Sequence, residues 1–185
     1  MIRAAVLTCM VVAAQPRAET ALELQLQPLK AKVKRGESAV VRVMVRNPPV
    51  AKRVWYLQPG FWPLPHTIPL EGNLALRVEV RDSSGRLLPA TTAVLILSRV
   101  RTEPSMFQPL LPGQFFGEDI ALDSDQWGFD MVPGTYTVSA TVASEAQSWF
   151  DGWLRKHHKN EAGFERDDLF VGPIGSPPIT IQVIE

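Results

Sequence analysis

The chain has 185 residues, of which 45% are hydrophobic and 21% charged, with 19 basic and 19 acidic side chains. That apolar share builds a packed core and excludes wholesale disorder, while zero formal net charge removes the electrostatic case for nucleic acid or an anionic membrane surface. A single cysteine and three histidines leave little material for a zinc cluster or a disulfide framework.

Residues 1–18 read as an address. Arg3 supplies a positive start, Ala4 to Ala14 form an uncharged apolar run, and small residues follow at Ala13, Ala14 and Ala18. This is the layout of a secretory signal peptide, and the run is too short for a membrane span. The expected mature part is one domain over residues 19–185, exported to a bacterial periplasm or the cell exterior, without a stable membrane span. Lipoprotein anchoring at Cys9 is not expected, because Thr8 stands where a small Gly, Ala or Ser is required.

From Leu22 onward, period-two alternation dominates the chain. Leu22, Leu24 and Leu26 alternate with polar residues, as do Ala31 and Val33, and Val41, Val43 and Val45 alternate with Arg42, Met44 and Arg46. Asn47-Pro48-Pro49 stops the third run, because proline cannot donate to a ladder. Val54 to Gln58 is a short strand; Leu74, Leu76, Val78 and Val80 mark another, closed by a turn at Asp82-Ser83-Ser84-Gly85. Thr92 to Val100 is continuously apolar, as a strand covered on both faces would be. Phe115 to Leu122, Thr135 to Val142 and Ile179 to Val183 complete the set. Proline totals 16, well above its usual share of about 5%. The pattern predicts an all-β, antiparallel β-sandwich of seven to eight strands.

Asp130-Met-Val-Pro-Gly-Thr-Tyr136, followed by Val138, Ala140 and Val142, resembles the penultimate strand of immunoglobulin-like and fibronectin type III-like domains. Ser176-Pro-Pro-Ile-Thr-Ile-Gln-Val183 resembles their closing strand. The turn at Gly36, the Val-rich strand and Asn47-Pro48 are similar to the opening of bacterial secreted modules of that kind. The resemblance implies that Tyr136 bonds back to the corner before it, and that Trp55 is a core residue of the third strand. The Cys…Trp…Cys signature of antibody domains is absent. Architecture alone implies no function.

If consecutive strands alternate in direction, the connections 59–73, 101–114 and 144–177 fall at one end. Three long loops on a rigid scaffold make a binding end. The first carries Phe61, Trp62 and His66 among stiffening prolines, and the second carries Phe107. The third holds the one helical pattern: Ala146, Trp149, Phe150, Trp153, Leu154 and His157 share a face within Ser144 to Asn160, with Ser144 as its cap. Two readings compete. The aromatic residues pack as a lid on the sandwich, or they line a groove for a glycan or a protein partner.

Catalytic motifs are missing: no Gly-x-Ser-x-Gly, no phosphate loop, no HExxH. His157 and His158 are adjacent and point about 100° apart on a helix, so they do not share a metal. The acidic stretch 118–130 fails calcium-loop spacing, with Trp127 and Gly134 at ligand positions. Neither an enzyme nor a cofactor or metal site is expected. Charge is polarised, with eight basic and one acidic residue in 30–53 against eight acidic and no basic ones in 102–154. The expectation is an exported non-catalytic binding module, with contacts at Phe61, Trp62, His66, Phe107, Trp149, Trp153 and His157. A structural spacer of the cell envelope and an inhibitor of a secreted hydrolase are the alternatives.

Overall fold

The computed structural model describes residues 21–63, 73–90, 102–124, 127–158 and 161–185. Residues 1–18, expected to be a leader, and the apolar run 92–100 lie outside the described residues. The strands, in chain order, are β1 (Glu23–Pro28), β2 (Lys32–Lys34), β3 (Val40–Arg46), β4 (Trp55–Pro63) and β5 (Asn73–Arg81). Then come β6 (Gln108–Leu110), β7 (Phe115–Ala121), β8 (Gly134–Ser144), helix α1 (Ala146–Leu154), β9 (Ile174–Gly175) and β10 (Ile179–Ile184). The fold is mostly β, with one α-helix among the described residues.

Two sheets form. The smaller runs β1-β3-β7, and the larger runs β2-β10-β8-β5-β4-β6, with β9 against the far half of β8. The larger sheet curls into a half-barrel, which departs from two flat facing layers. Alternation does what the sequence implies. Val41, Val43 and Val45 of β3 are fully buried, and meet Leu74, Leu76 and Val80 of β5 and Val138 and Val142 of β8 in one core. Burying such side chains contributes about 1.5–3 kcal/mol each. Arg42, between two of those valines, faces water and pairs with Asp119 of β7 through two hydrogen bonds of 2.7 and 2.9 Å.

One expectation about direction is overturned. β4 pairs with β5 in parallel, Phe61 opposite Leu74 and Trp62 opposite Ala75, and β10 pairs with β2 in parallel. The larger sheet is therefore mixed, while β1-β3-β7 is antiparallel, and consecutive strands do not simply alternate ends. The β4–β5 ladder also shifts register between Gln58 and Phe61, at the positive-φ Gly60. Two short strands, β6 and β9, also form inside segments expected to be loops.

The corner before β8 is as the resemblance implies. The Tyr136 hydroxyl donates to the Val132 carbonyl at 2.7 Å. Burial raises its pKa above the ordinary tyrosine value.

Candidate functional site

β8 ends at Ser144 opposite Leu74, near the start of β5, so the chain leaves the sheet at that end and enters α1. The helix is shorter than its hydrophobic pattern, stopping at Leu154. Ser144 caps it from one residue further out than expected: Glu145 is the N-cap, and the Ser144 hydroxyl accepts the Ala146 N–H at 3.1 Å. Asp151 then receives Arg166 at 2.8 Å, and Gln147 donates to the Arg166 carbonyl at 3.3 Å. The Asp151 hydrogen bond holds the Arg166 pKa above its ordinary value. These contacts clamp α1 to the Arg166–Asp168 turn.

Beneath the helix lies a second, smaller core. Phe107, Trp149, Phe150, Trp153, Phe164 and Leu169 form it, with Tyr56 of β4 packed against it. Phe107 stacks on Trp149 at 4.8 Å between centroids, Tyr56 on Phe164 at 4.9 Å, and Phe150 on Trp153 at 5.9 Å. His157 continues the stack, lying flat on Trp153 at 4.5 Å, with Nδ1 3.5 Å from Glu161.

The expected contact residues thus divide. Phe107, Trp149, Trp153 and His157 do come together, although they reach this end by a topology that alternation did not foresee. The first three are buried, so their rings are packing elements and offer no free face to a partner. Phe61 is a correction of another kind. It leaves this group and enters the main core, 5.3 Å from Phe116. Among the described ones, His157 is partly open, its side chain 31% exposed. His66 and the side chain of Trp62 lie outside the described residues.

The open feature at this end is a cleft of about 450 Å³ beside α1. Arg53, Trp55, Gln147 and Asp167 line it, with Leu22 and Phe170 among its apolar walls. The Arg53 guanidinium sits over the Trp55 ring, 4.1 Å from its centroid, and Phe170 meets that indole edge-on at 6.5 Å. The Trp55 Nε1 is buried with no acceptor. Behind Arg53 stands Asn47, fully buried, whose amide donates to the carbonyls of Arg53 and Leu110, each at 2.8 Å. Gly172 closes the opposite wall at φ +80°, where an added Cβ would lie 2.8 Å from the Val142 carbonyl.

Sequence reasoning missed this cleft. Asn47 reads as a strand stop and Trp55 as a core residue, and Arg53 is one of eight basic residues in a run. The usable signal was Arg53-x-Trp55, a cation two residues ahead of an indole at the start of a strand. No family model matches the chain, and no curated protein is significantly similar to it.

Proposed function

We propose that the protein is an exported, non-catalytic binding module of immunoglobulin-like architecture, and that its ligand occupies the cleft between α1 and Arg53. Export to the periplasm or cell exterior rests on the leader pattern of residues 1–18. The immunoglobulin-like reading rests on the Tyr136 corner and on two β-sheets that share one core. The observation that carries the binding reading is Arg53, whose guanidinium lies over the Trp55 ring, 4.1 Å from its centroid, in an open cleft and in no ion pair among the described residues. An arginine fixed in this way is pre-organised, so less side-chain entropy is lost when a ligand engages it. The buried aromatic residues support this cleft from below instead of forming the contact themselves.

Burial of Trp149 and Trp153 also favours a second reading, a structural spacer whose aromatic residues are all core. One experiment separates the two. The purified chain and an Arg53→Ser variant with an unchanged circular dichroism spectrum are applied to an array of glycans and peptides. A binding module retains a ligand that the variant loses by at least tenfold. Retention of nothing, or equal retention by both, leaves the spacer.

A further inference from the structure

We infer that two adjacent turns, 48–51 and 111–114, form an apolar tip with which the protein docks reversibly on an anionic lipid surface. The inference goes beyond the binding reading and uses neither Arg53 nor its cleft. Asn47 ties the two turns together. Its N–H donates to the Gln114 carbonyl at 3.0 Å, and its carbonyl accepts the Gly113 N–H at 2.8 Å. Each turn is also closed on itself. The Ala51 N–H donates to the Pro48 carbonyl at 2.9 Å, and the Gln114 N–H to the Leu111 carbonyl at 3.0 Å. The Gln114 side chain accepts the Leu111 N–H at 2.9 Å. Pro48, Pro49 and Pro112 stiffen both turns. Three large apolar side chains here stay in water nonetheless. Val50 is 77% exposed, Phe115 64% and Leu111 44%. They are three of the eight exposed large apolar residues among the described ones, and Val50 and Phe115 are the two most exposed. Apolar residues scattered singly over a surface are ordinary, whereas a group on neighbouring turns marks a contact.

Charge and size select the occupant. Residues 46–53 hold three basic residues and no acidic one. Arg46 and Lys52 bracket the first turn, and neither is in an ion pair among the described residues. Phe115 stands opposite Arg46 in the β3–β7 ladder. The next pair, Val45 and Phe116, packs on the core, so Phe115 and Arg46 share the outer face of the smaller sheet. Glu23 flanks Arg46 from β1, but its carboxylate is held by Gln25 at 3.3 Å. A screening length of about 8 Å makes this local charge, and not the zero sum over the chain, what a surface meets. A stable protein interface takes about 800 Å² and some 20–30 residues on each side. Two four-residue turns with Phe115, Arg46 and Lys52 fall well short of that. A lipid surface requires less: a few apolar side chains enter the headgroup layer while bases meet the phosphates around them.

The probes are vesicles of phosphatidylcholine alone and of phosphatidylcholine with about one-third phosphatidylglycerol, sedimented with the full chain. The partition coefficient should be at least tenfold higher on the anionic vesicles. Val50→Asp combined with Phe115→Asp should lower it at least tenfold at an unchanged circular dichroism spectrum. Val50→Ser, at the most exposed of the three sites, should lower it in the same direction and serves if the double variant does not fold. Arg46→Gln combined with Lys52→Gln should bring the anionic vesicles down to the level of the neutral ones. No sedimentation with either composition overturns the inference. Equal sedimentation of wild type and tip variants overturns it too, because the contact then lies elsewhere in the chain. A chain that dimerises through Val50 and Phe115 and ignores the vesicles puts a second copy on the tip, and also overturns it. None of these outcomes bears on a ligand held through Arg53, which the Arg53→Ser comparison tests separately.

Discussion

Asn47 shows how one buried polar side chain positions a charge far from its own position in sequence. Its amide donates to the carbonyls of Arg53 and Leu110, and its backbone exchanges hydrogen bonds with Gly113 and Gln114. Removing the amide orphans two carbonyls, at least one of them in a dry site, and an unsatisfied buried acceptor costs about 1–3 kcal/mol. Asn47→Ala should therefore lower stability by about 2–3 kcal/mol, read as a shift of the urea midpoint at unchanged slope. It should also loosen Arg53 on its indole, so any ligand held through Arg53 weakens in the variant. Stability within about 0.5 kcal/mol of wild type, the scatter of surface substitutions, would mean that water replaces the amide without loss.

At the scale of elements, β4 is the hinge between the two cores. Trp55 and Leu57 pack on the main core, while Tyr56 between them turns to the small one under α1. A strand that alternates between two clusters couples them, so both should unfold together. Phe150, fully buried at the centre of the small core, tests this. Phe150→Ala should cost about 3–5 kcal/mol. Tryptophan fluorescence and far-ultraviolet circular dichroism should then report one common, shifted transition. A fluorescence transition that moves alone would show the helix-bearing end folding as a separate unit. The same strand explains what was legible in the sequence and what was not. β1, β3, β5, β8 and β10 follow from period-two alternation, because each has one face in the core. The helix followed from its 3.6-residue stripe. The parallel course of β4 did not, since alternation marks which face of a strand is buried and not the direction in which the strand runs. Nor did the sign of aromatic exposure. A stripe of tryptophans reads the same whether it faces a partner or, as here, Phe107 and Phe164. The cleft stayed hidden for a related reason: Arg53 and Gln147 are adjacent only after folding.

Across the whole molecule, the separation of basic and acidic segments along the chain becomes contact in space. Arg42 of β3 meets Asp119 of β7, and the Ser38 hydroxyl donates to Asp123, so part of the polarity is neutralised within the fold. The Arg42 hydrogen bonds hold the Asp119 carboxyl below the usual carboxylate range. The Ser84 hydroxyl does the same for Asp82 at the turn after β5, and the Lys34 N–H does so for Glu37. A depressed carboxylate contributes stability that is present above its unfolded value, near about pH 4, and lost as pH falls through the folded value. Tyr136 runs the other way. Its burial raises the folded pKa, so its contribution is complete below the unfolded value, about 10, and lost as pH rises through the folded one. The urea midpoint should thus be flat through neutral pH and fall on both sides. Each limb can be assigned. Arg42→Gln returns Asp119 toward its ordinary value and should flatten part of the acid limb, while Tyr136→Phe should flatten the alkaline limb alone. The Arg42 pair is half exposed, so its share of the acid limb should shrink in about 1 M salt, where the screening length falls to about 3 Å. If Arg42→Gln keeps the wild-type acid limb, the pairing of the basic and acidic segments does not stabilise the fold, and the polarity is left for a partner to neutralise.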